Sequence, residues 1–267
     1  MDTDQIRQGP KPSKFNPDVI RIYKTIDDRK MTAHIFFQKD RGKPGKRPGF
    51  VFFHPGGWSM GMPEWGYDIC QHYSNLGMVA ISFQYRLSSP AGYTPIDAIS
   101  DAKSAIRWTR EQADNLNIDP GKVVAGAISA GAHLAACAAM IPGYNDRSDN
   151  PDISPVPNAL VLQSACLNPT IVNEFSDLLQ NRDRPENCSP VHHIKAGLPP
   201  MCLIHGTADN IISFDSIKEF TRETREAGNR CDLHPFEGTD HFFTQNVESN
   251  DVLELTDGFL SSLGYIG

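Results

Sequence analysis

Four short stretches of this 267-residue sequence carry side chains able to do covalent chemistry: Gly126-Ala127-Ile128-Ser129-Ala130-Gly131, His54-Pro55-Gly56-Gly57-Trp58, His205-Gly206-Thr207-Ala208-Asp209 and Glu237-Gly238-Thr239-Asp240-His241. A serine hydroxyl is a weak nucleophile until an imidazole takes its proton, and a carboxylate on the far ring nitrogen fixes the imidazole's tautomer and steadies the imidazolium. Attack on a carbonyl carbon also places negative charge on an oxygen, which backbone N–H groups must meet. Ser129 is the candidate nucleophile, His241 the candidate base and Asp209 the candidate acid. Gly56, Gly57 and Ala130 are the candidate N–H donors, because Pro55 has no N–H to offer. His54 reads as a brace for its loop.

Each stretch follows a run that reads as a strand. Val123-Val124-Ala125 leads into the serine, and an alanine-rich, helix-favouring run, Leu134 to Met140, follows it. Strand, tight turn and helix are the setting of a nucleophile elbow, where a strained turn lifts the serine oxygen above the sheet edge. The usual pattern, G-x-S-x-G, is met at Gly131 but not at Ala127, and Ile128 is bulkier than a glycine-rich elbow would offer. Phe50 to Phe53 precedes the glycine pair, Met201 to Ile204 precedes Asp209, and Cys231 to Phe236 precedes His241. Taken singly, Ser-Ala-Gly and Pro-Gly-Gly are ordinary turns and Asp209 an ordinary cap. Their joint appearance at strand ends, in the order serine, acid, histidine, favours one site.

The elements between them support a mostly parallel sheet. Val19 to Ile26 alternates like a half-buried strand, and the turn Asp27 to Lys30 joins it to Met31–Phe37 as a hairpin. Short apolar runs, including Met78–Ile81 and Ala159–Leu162, then alternate with helix-length segments. Pro95 to Asn115 reads as a crossover helix with Pro95 in its first turn. Pro235, in the last strand from Cys231 to Phe236, cannot donate to a ladder and so belongs near a strand end or at a sheet edge. The length fits one large α/β domain, expected over residues 18–267 after a polar extension over 1–17. A formal charge of −7 without long like-charge blocks disfavours a nucleic-acid partner. Nothing in the composition calls for a membrane. The scattered cysteines, Cys70, Cys137, Cys166, Cys188, Cys202 and Cys231, read as buried thiols. The first residues lack the apolar core of a signal peptide, so as written the chain directs no export and reads as cytoplasmic, with periplasm or secretion open if a leader has been removed.

From about Val19 to the C-terminus the sequence resembles the α/β-hydrolase superfamily, in particular its serine esterases similar to hormone-sensitive lipase. Gln84-Tyr85-Arg86-Leu87, Asp101 to Trp108, Ser189 to Ile194 and His205 to Asp209 are similar to bacterial carbohydrate-associated acetyl and feruloyl esterases. The resemblance implies an α/β-hydrolase fold, with a mostly parallel sheet of about eight strands flanked by helices, and a carbohydrate or other small ester as substrate. The mechanism needs no cofactor and no metal. Trp58 and Trp65 are candidate substrate-stacking residues, with pocket-wall packing an even alternative. His133, His192 and His193 read as capping or packing residues rather than metal ligands. Residues 142–157 are candidate lid material, with an ordinary surface loop the plainer reading. Two competing functions are a non-catalytic binding module on the same fold, favoured by Ala127 and Ile128, and a prolyl-oligopeptidase-like peptidase, for whose propeller this length leaves no room. The sequence leaves the oligomeric state open.

Overall fold

Successive side chains on a strand face opposite ways, and in β3 (Arg47–Phe53) that alternation is buried on both sides. Phe50 and Phe52 enter one apolar cluster and Val51 and Phe53 another. Strands covered on both faces belong to parallel sheets with helices above and below. The computed structural model describes residues 12–39, 45–89, 92–242 and 250–267. Its other strands are β1 (Val19–Ile26), β2 (Arg29–Phe36), β4 (Val79–Phe83), β5 (Ile118–Ile128), β6 (Ala159–Gln163), β7 (Met201–Gly206) and β8 (Cys231–Phe236). They form one eight-stranded sheet in the order β1-β2-β4-β3-β5-β6-β7-β8. Only β2 runs antiparallel to its neighbours; the remaining pairings are parallel. The mostly parallel sheet expected from the sequence is present, and Pro235 lies on the edge strand β8.

The helices divide between the two faces. α1 (Tyr67–Asn75) and α5 (Asn250–Ser262) supply Tyr67, Tyr73, Val252 and Phe259 to the cluster on the Phe50 and Phe52 side. α2 (Pro95–Glu111), α3 (Ala130–Met140) and α4 (Phe214–Glu226) cover the Val51 and Phe53 side. α3 is buried along its whole length, as expected of a helix apolar all round. Its short side chains let it pack tightly, and the buried Lys103 of α2 donates to the carbonyls of Ile141 and Gly143 just past its end, satisfying acceptors a helix terminus leaves open. All six cysteines are free and buried.

Two details add to the sequence reading, and one of its alternatives falls away. The crossover helix stops at Glu111 and a second short helix, Ala113–Leu116, follows, ended by Asn117 in the left-handed region (φ 58°). This break lets Ala113 and Leu116 turn into the core. In β1 the exposed positions are Ile20, Ile22 and Thr25, while Tyr23 and Lys24 face inward past a register shift. Residues 142–157 form no lid over the serine: Arg107 donates to Ile153 O, Asp149 and Asn145, and Arg110 to Ser154 O and Val156 O, which pins the segment along α2. It begins beyond the far end of α3, roughly 16 Å from Ser129 by helical rise. Residues 1–11 of the expected extension lie outside the described residues, whereas Ser13 bonds Asp68 and Phe15 packs on the sheet's α1 side.

The strand-to-helix connection after β4 is held by a buried ion cluster. Asp101, fully buried, accepts from Arg86 N, Nε and Nη2 and from Lys24 Nζ at 2.8–2.9 Å. Asp97 and Asp146 add further carboxylates to Arg86 and Lys24. Removing one member of a buried pair leaves an uncompensated charge. Asp101→Ala is therefore expected to destabilise the fold by about 3 kcal/mol in urea denaturation; a loss below about 1 kcal/mol would show the cluster to be energetically idle.

Candidate active site

β5 ends at Ile128, and the next residue bends the chain sharply. Ser129 has φ 53° and ψ −118°, a region that L residues adopt only when their surroundings impose it, at a cost of about 1–3 kcal/mol. Its N–H donates to Gln163 O at 2.9 Å and its carbonyl accepts from His133 N at 3.1 Å. Gly131 permits the helix to start here, since a Cβ on it would fall 2.2 Å from Phe53 O. The two departures from the glycine pattern point into packing: Ala127 pairs with Phe53 and Leu162, and Ile128 joins the cluster under α1. Neither prevents the turn.

The structure brings Ser129, His241 and Asp209 together from three loops. Ser129 Oγ donates to His241 Nε2 at 2.9 Å, and His241 Nδ1 donates to Asp209 Oδ2 at 2.7 Å. Ile211 N and Ile212 N hold Asp209 Oδ1 at 2.9 and 2.8 Å. Burial opposes the charge on Asp209, but hydrogen bonds from His205, His241 and Ile212 outweigh it and keep the carboxyl well below the usual carboxylate range. Ser164, itself at φ 45°, donates to His241 O at 3.0 Å and so fixes the histidine's backbone. Neither His205 nor Ser164 had been given a role from the sequence. His205 stands in the quoted acid motif; Ser164 gives no signal beyond lying at the end of β6.

Opposite the serine, the loop after β3 turns through Gly56 (φ 136°) and Gly57 (φ 55°). Among the described residues neither of their N–H groups donates to a protein acceptor, and the N–H of Ala130, first in α3, has no partner within its helix. His54 is fully buried, donates Nδ1–H to Pro55 O at 2.8 Å and stacks on Tyr85 at 4.1 Å. Burial lowers its pKa to about 4. Trp58 does not present its ring for stacking: it is 4% exposed, packs on Phe175 and donates Nε1–H to His133 Nδ1 at 3.0 Å. The substrate-binding expectation for Trp58 is corrected accordingly. Trp65 is half-buried at the edge of His54. His133 passes the contact on, donating Nε2–H to Cys188 O at 2.7 Å, and its pKa is also lowered by burial to about 4. No group of histidine, cysteine and acidic residues suited to a metal occurs among the described residues. A cleft of about 420 Å³ lined by Arg29, Met62, Leu87 and Tyr93 opens beside the glycine loop, but neither Ser129 nor His241 lines it.

A family model described as the alpha/beta hydrolase fold matches residues 50–245, which include all four loops. The chain belongs to the α/β-hydrolase family. Among solved structures this α/β-hydrolase is similar to Thermogutta terrifontis esterase 2 phosphorylated by paraoxon, at 38% identity and TM-score 0.86 over 93% of this chain and 95% of that one. It is also similar to the propionate-bound form of that esterase, at 37% identity and TM-score 0.87 over 96% and 98%. A probable isoprenylcysteine alpha-carbonyl methylesterase of Arabidopsis thaliana is 25% identical over 92% of this chain. The chain spans 56% of the length of that relative.

The two neutral imidazoles make stability depend on acid. His54 and His133 titrate near 6.5 in an unfolded chain and near 4 when folded, so their contribution is complete above pH 6.5 and is lost as pH falls towards 4. Each can remove about 3 kcal/mol over that window. The urea midpoint should fall steadily from pH 6.5 to 4, and neither imidazole should titrate in NMR spectra above about pH 5. Midpoints near 6.5 for both rings would contradict the neutral assignment.

Proposed function

We propose that this α/β-hydrolase is a serine carboxylic ester hydrolase working through an acyl-enzyme, with Ser129 as nucleophile, His241 as base and then acid, and Asp209 as the group that orients the histidine. The observation that carries this reading is the unbroken relay from Ser129 Oγ through His241 to Asp209, at 2.9 and 2.7 Å, set on a strained turn. His241 takes the hydroxyl proton as Ser129 Oγ bonds to the ester carbon. The N–H groups of Gly56, Gly57 and Ala130 meet the charge on the carbonyl oxygen. His241 then gives its proton to the departing alcohol oxygen, and the C–O bond breaks. Water, losing a proton to the same nitrogen, attacks the acyl carbon, and Ser129 leaves with that proton as the acid is released. None of these steps calls for a cofactor.

Short acyl groups are the substrates we favour. The similar Thermogutta terrifontis esterase 2 has been captured with propionate bound and, separately, phosphorylated by paraoxon. Acetyl esters fall in the same size class. A feruloyl ester would need an aromatic-binding surface, and the burial of Trp58 leaves Trp65 as the remaining candidate from the sequence. Acetylated xylan and methyl ferulate therefore accompany nitrophenyl acetate to decanoate in the assay.

Wild type should hydrolyse the short nitrophenyl esters and be inactivated by paraoxon, while folded Ser129→Ala should lose more than about a thousandfold in kcat/KM. Equal rates for the two would refute the nucleophile, and a wild type inert to every ester and to paraoxon would favour a binding module. The glycines should not respond alike. A Cβ at Gly56 would lie 2.1 Å from Met60 O, whereas one at Gly57 meets nothing within 4 Å. Gly56→Ala should thus lower kcat on the order of a hundredfold or more and Gly57→Ala less, a ranking that steady-state kinetics can reverse.

A further inference from the structure

We infer that His205 is a positioning residue that extends the relay to four members and tunes Asp209. His205 is 1% exposed at the end of β7. Its Nε2–H faces two acceptors, Ile212 O at 2.9 Å and Asp209 Oδ2 at 3.1 Å. Oδ2 is the same oxygen that His241 Nδ1–H reaches at 2.7 Å, and Ile212 is the residue whose N–H holds Oδ1. One imidazole therefore donates to the turn that binds one carboxylate oxygen while lying against the other, closing a small ring of polar contacts around the acid.

The ring's other nitrogen identifies what His205 supplies. Nδ1 is buried and, among the described residues, has no hydrogen-bond partner. The Ile212 carbonyl and the nearby Asp209 oxygen at Nε2 require a proton there, and with no acceptor at Nδ1 among the described residues a second proton has nowhere to donate. His205 is thus a neutral donor, a dipole and not a cation, stacked on Phe214 at 6.2 Å. A cation beside Asp209 would cancel the charge that His241⁺ needs during turnover. A neutral N–H instead spreads that charge and fixes the oxygen's direction while leaving its sign intact. The other titratable groups nearby are Cys166, whose burial keeps it a thiol, and Asp240, whose carboxylate is engaged by Phe242 N.

This assignment rests on the proposed relay, so the deciding measurement is made on the resting protein: NMR titration of the His241 imidazole in wild type, His205→Phe and His205→Gln. Phenylalanine keeps the ring and loses the donor; glutamine keeps a neutral N–H donor. Without the donor, negative charge concentrates on Oδ2 and holds the His241 proton more tightly. The midpoint should move up by about half to one pH unit in His205→Phe and return towards wild type in His205→Gln. The acid limb of kcat/KM should follow, with kcat several-fold lower in the Phe variant. An unmoved His241 midpoint in folded His205→Phe overturns the inference, as does an equal shift in both variants. Should the Phe variant fail to fold, the Gln variant decides: a wild-type midpoint supports the donor role and a raised one overturns it. Failure of the ester-hydrolase reading would appear separately, as a wild type that cleaves no ester while the titration still gives its answer.

Discussion

The backbone of Ser129 is the constraint on which the site depends. A serine at φ 53° is unstable in isolation, and it persists because the residues on either side have no freedom to relax it. Before it, Ala127 and Ile128 are locked into sheet pairing with β3 and β6. After it, α3 begins at once, pressed against Phe53 O so closely that only glycine fits at residue 131. The strain is confined to one residue and leaves the hydroxyl half-exposed where the buried strand ends. The sheet's parallel order then brings the loops after β3, β7 and β8 to the same edge as the loop after β5, because parallel strands all end on one side.

Charge and neutrality are separated in this fold. The buried ions gather around Asp101, Arg86 and Lys24, where each charge has several partners. Near the serine, the imidazoles of His54 and His133 are kept neutral by burial, and Asp209 is the carboxylate held ionised by donors. The two regions are nevertheless linked. Arg86 fixes the segment whose Tyr85 hydroxyl donates to His54 O and whose Ser88 N–H donates to Trp58 O. A charge cluster outside the Ser129–His241–Asp209 relay thus steadies both ends of the glycine loop.

What could be read from the sequence was whatever depends on residue type and local order. The strands, the turn at Ser129 and the order of serine, acid and histidine leave a trace in neighbouring residues, and the sheet forms as those runs imply. Contacts between distant residues leave no such trace. An aromatic ring beside a glycine pair looks the same whether it faces a substrate or, like Trp58, turns inward to a histidine 75 positions away. Ser164 reaches His241 across 77 positions, and its role follows from where β6 ends in space. The segment 142–157 has the composition of a mobile border, yet arginines of α2 decide its course. Alternation along β1 was visible, but its phase depended on Lys24 finding buried carboxylates, which no local pattern encodes.

The position of α3 explains how Ser129 and the N–H groups proposed to meet the oxyanion can be held in one frame. Ser129 is its N-cap, and its first turn carries the Ala130 N–H. One turn later His133 accepts from Trp58, the residue that follows Gly57, and donates to Cys188 O on the opposite side. The glycine loop is therefore fastened to the same helix that fixes the serine. Any shift of that helix carries both, so their separation is preserved even when the surrounding structure breathes. Donors aimed before the reaction need no reorganisation when charge appears, and a rigid, fully buried helix is the element best able to keep that aim. The neutrality of His133 is part of the same requirement: only with Nδ1 bare can it accept from Trp58 and tie the loop down.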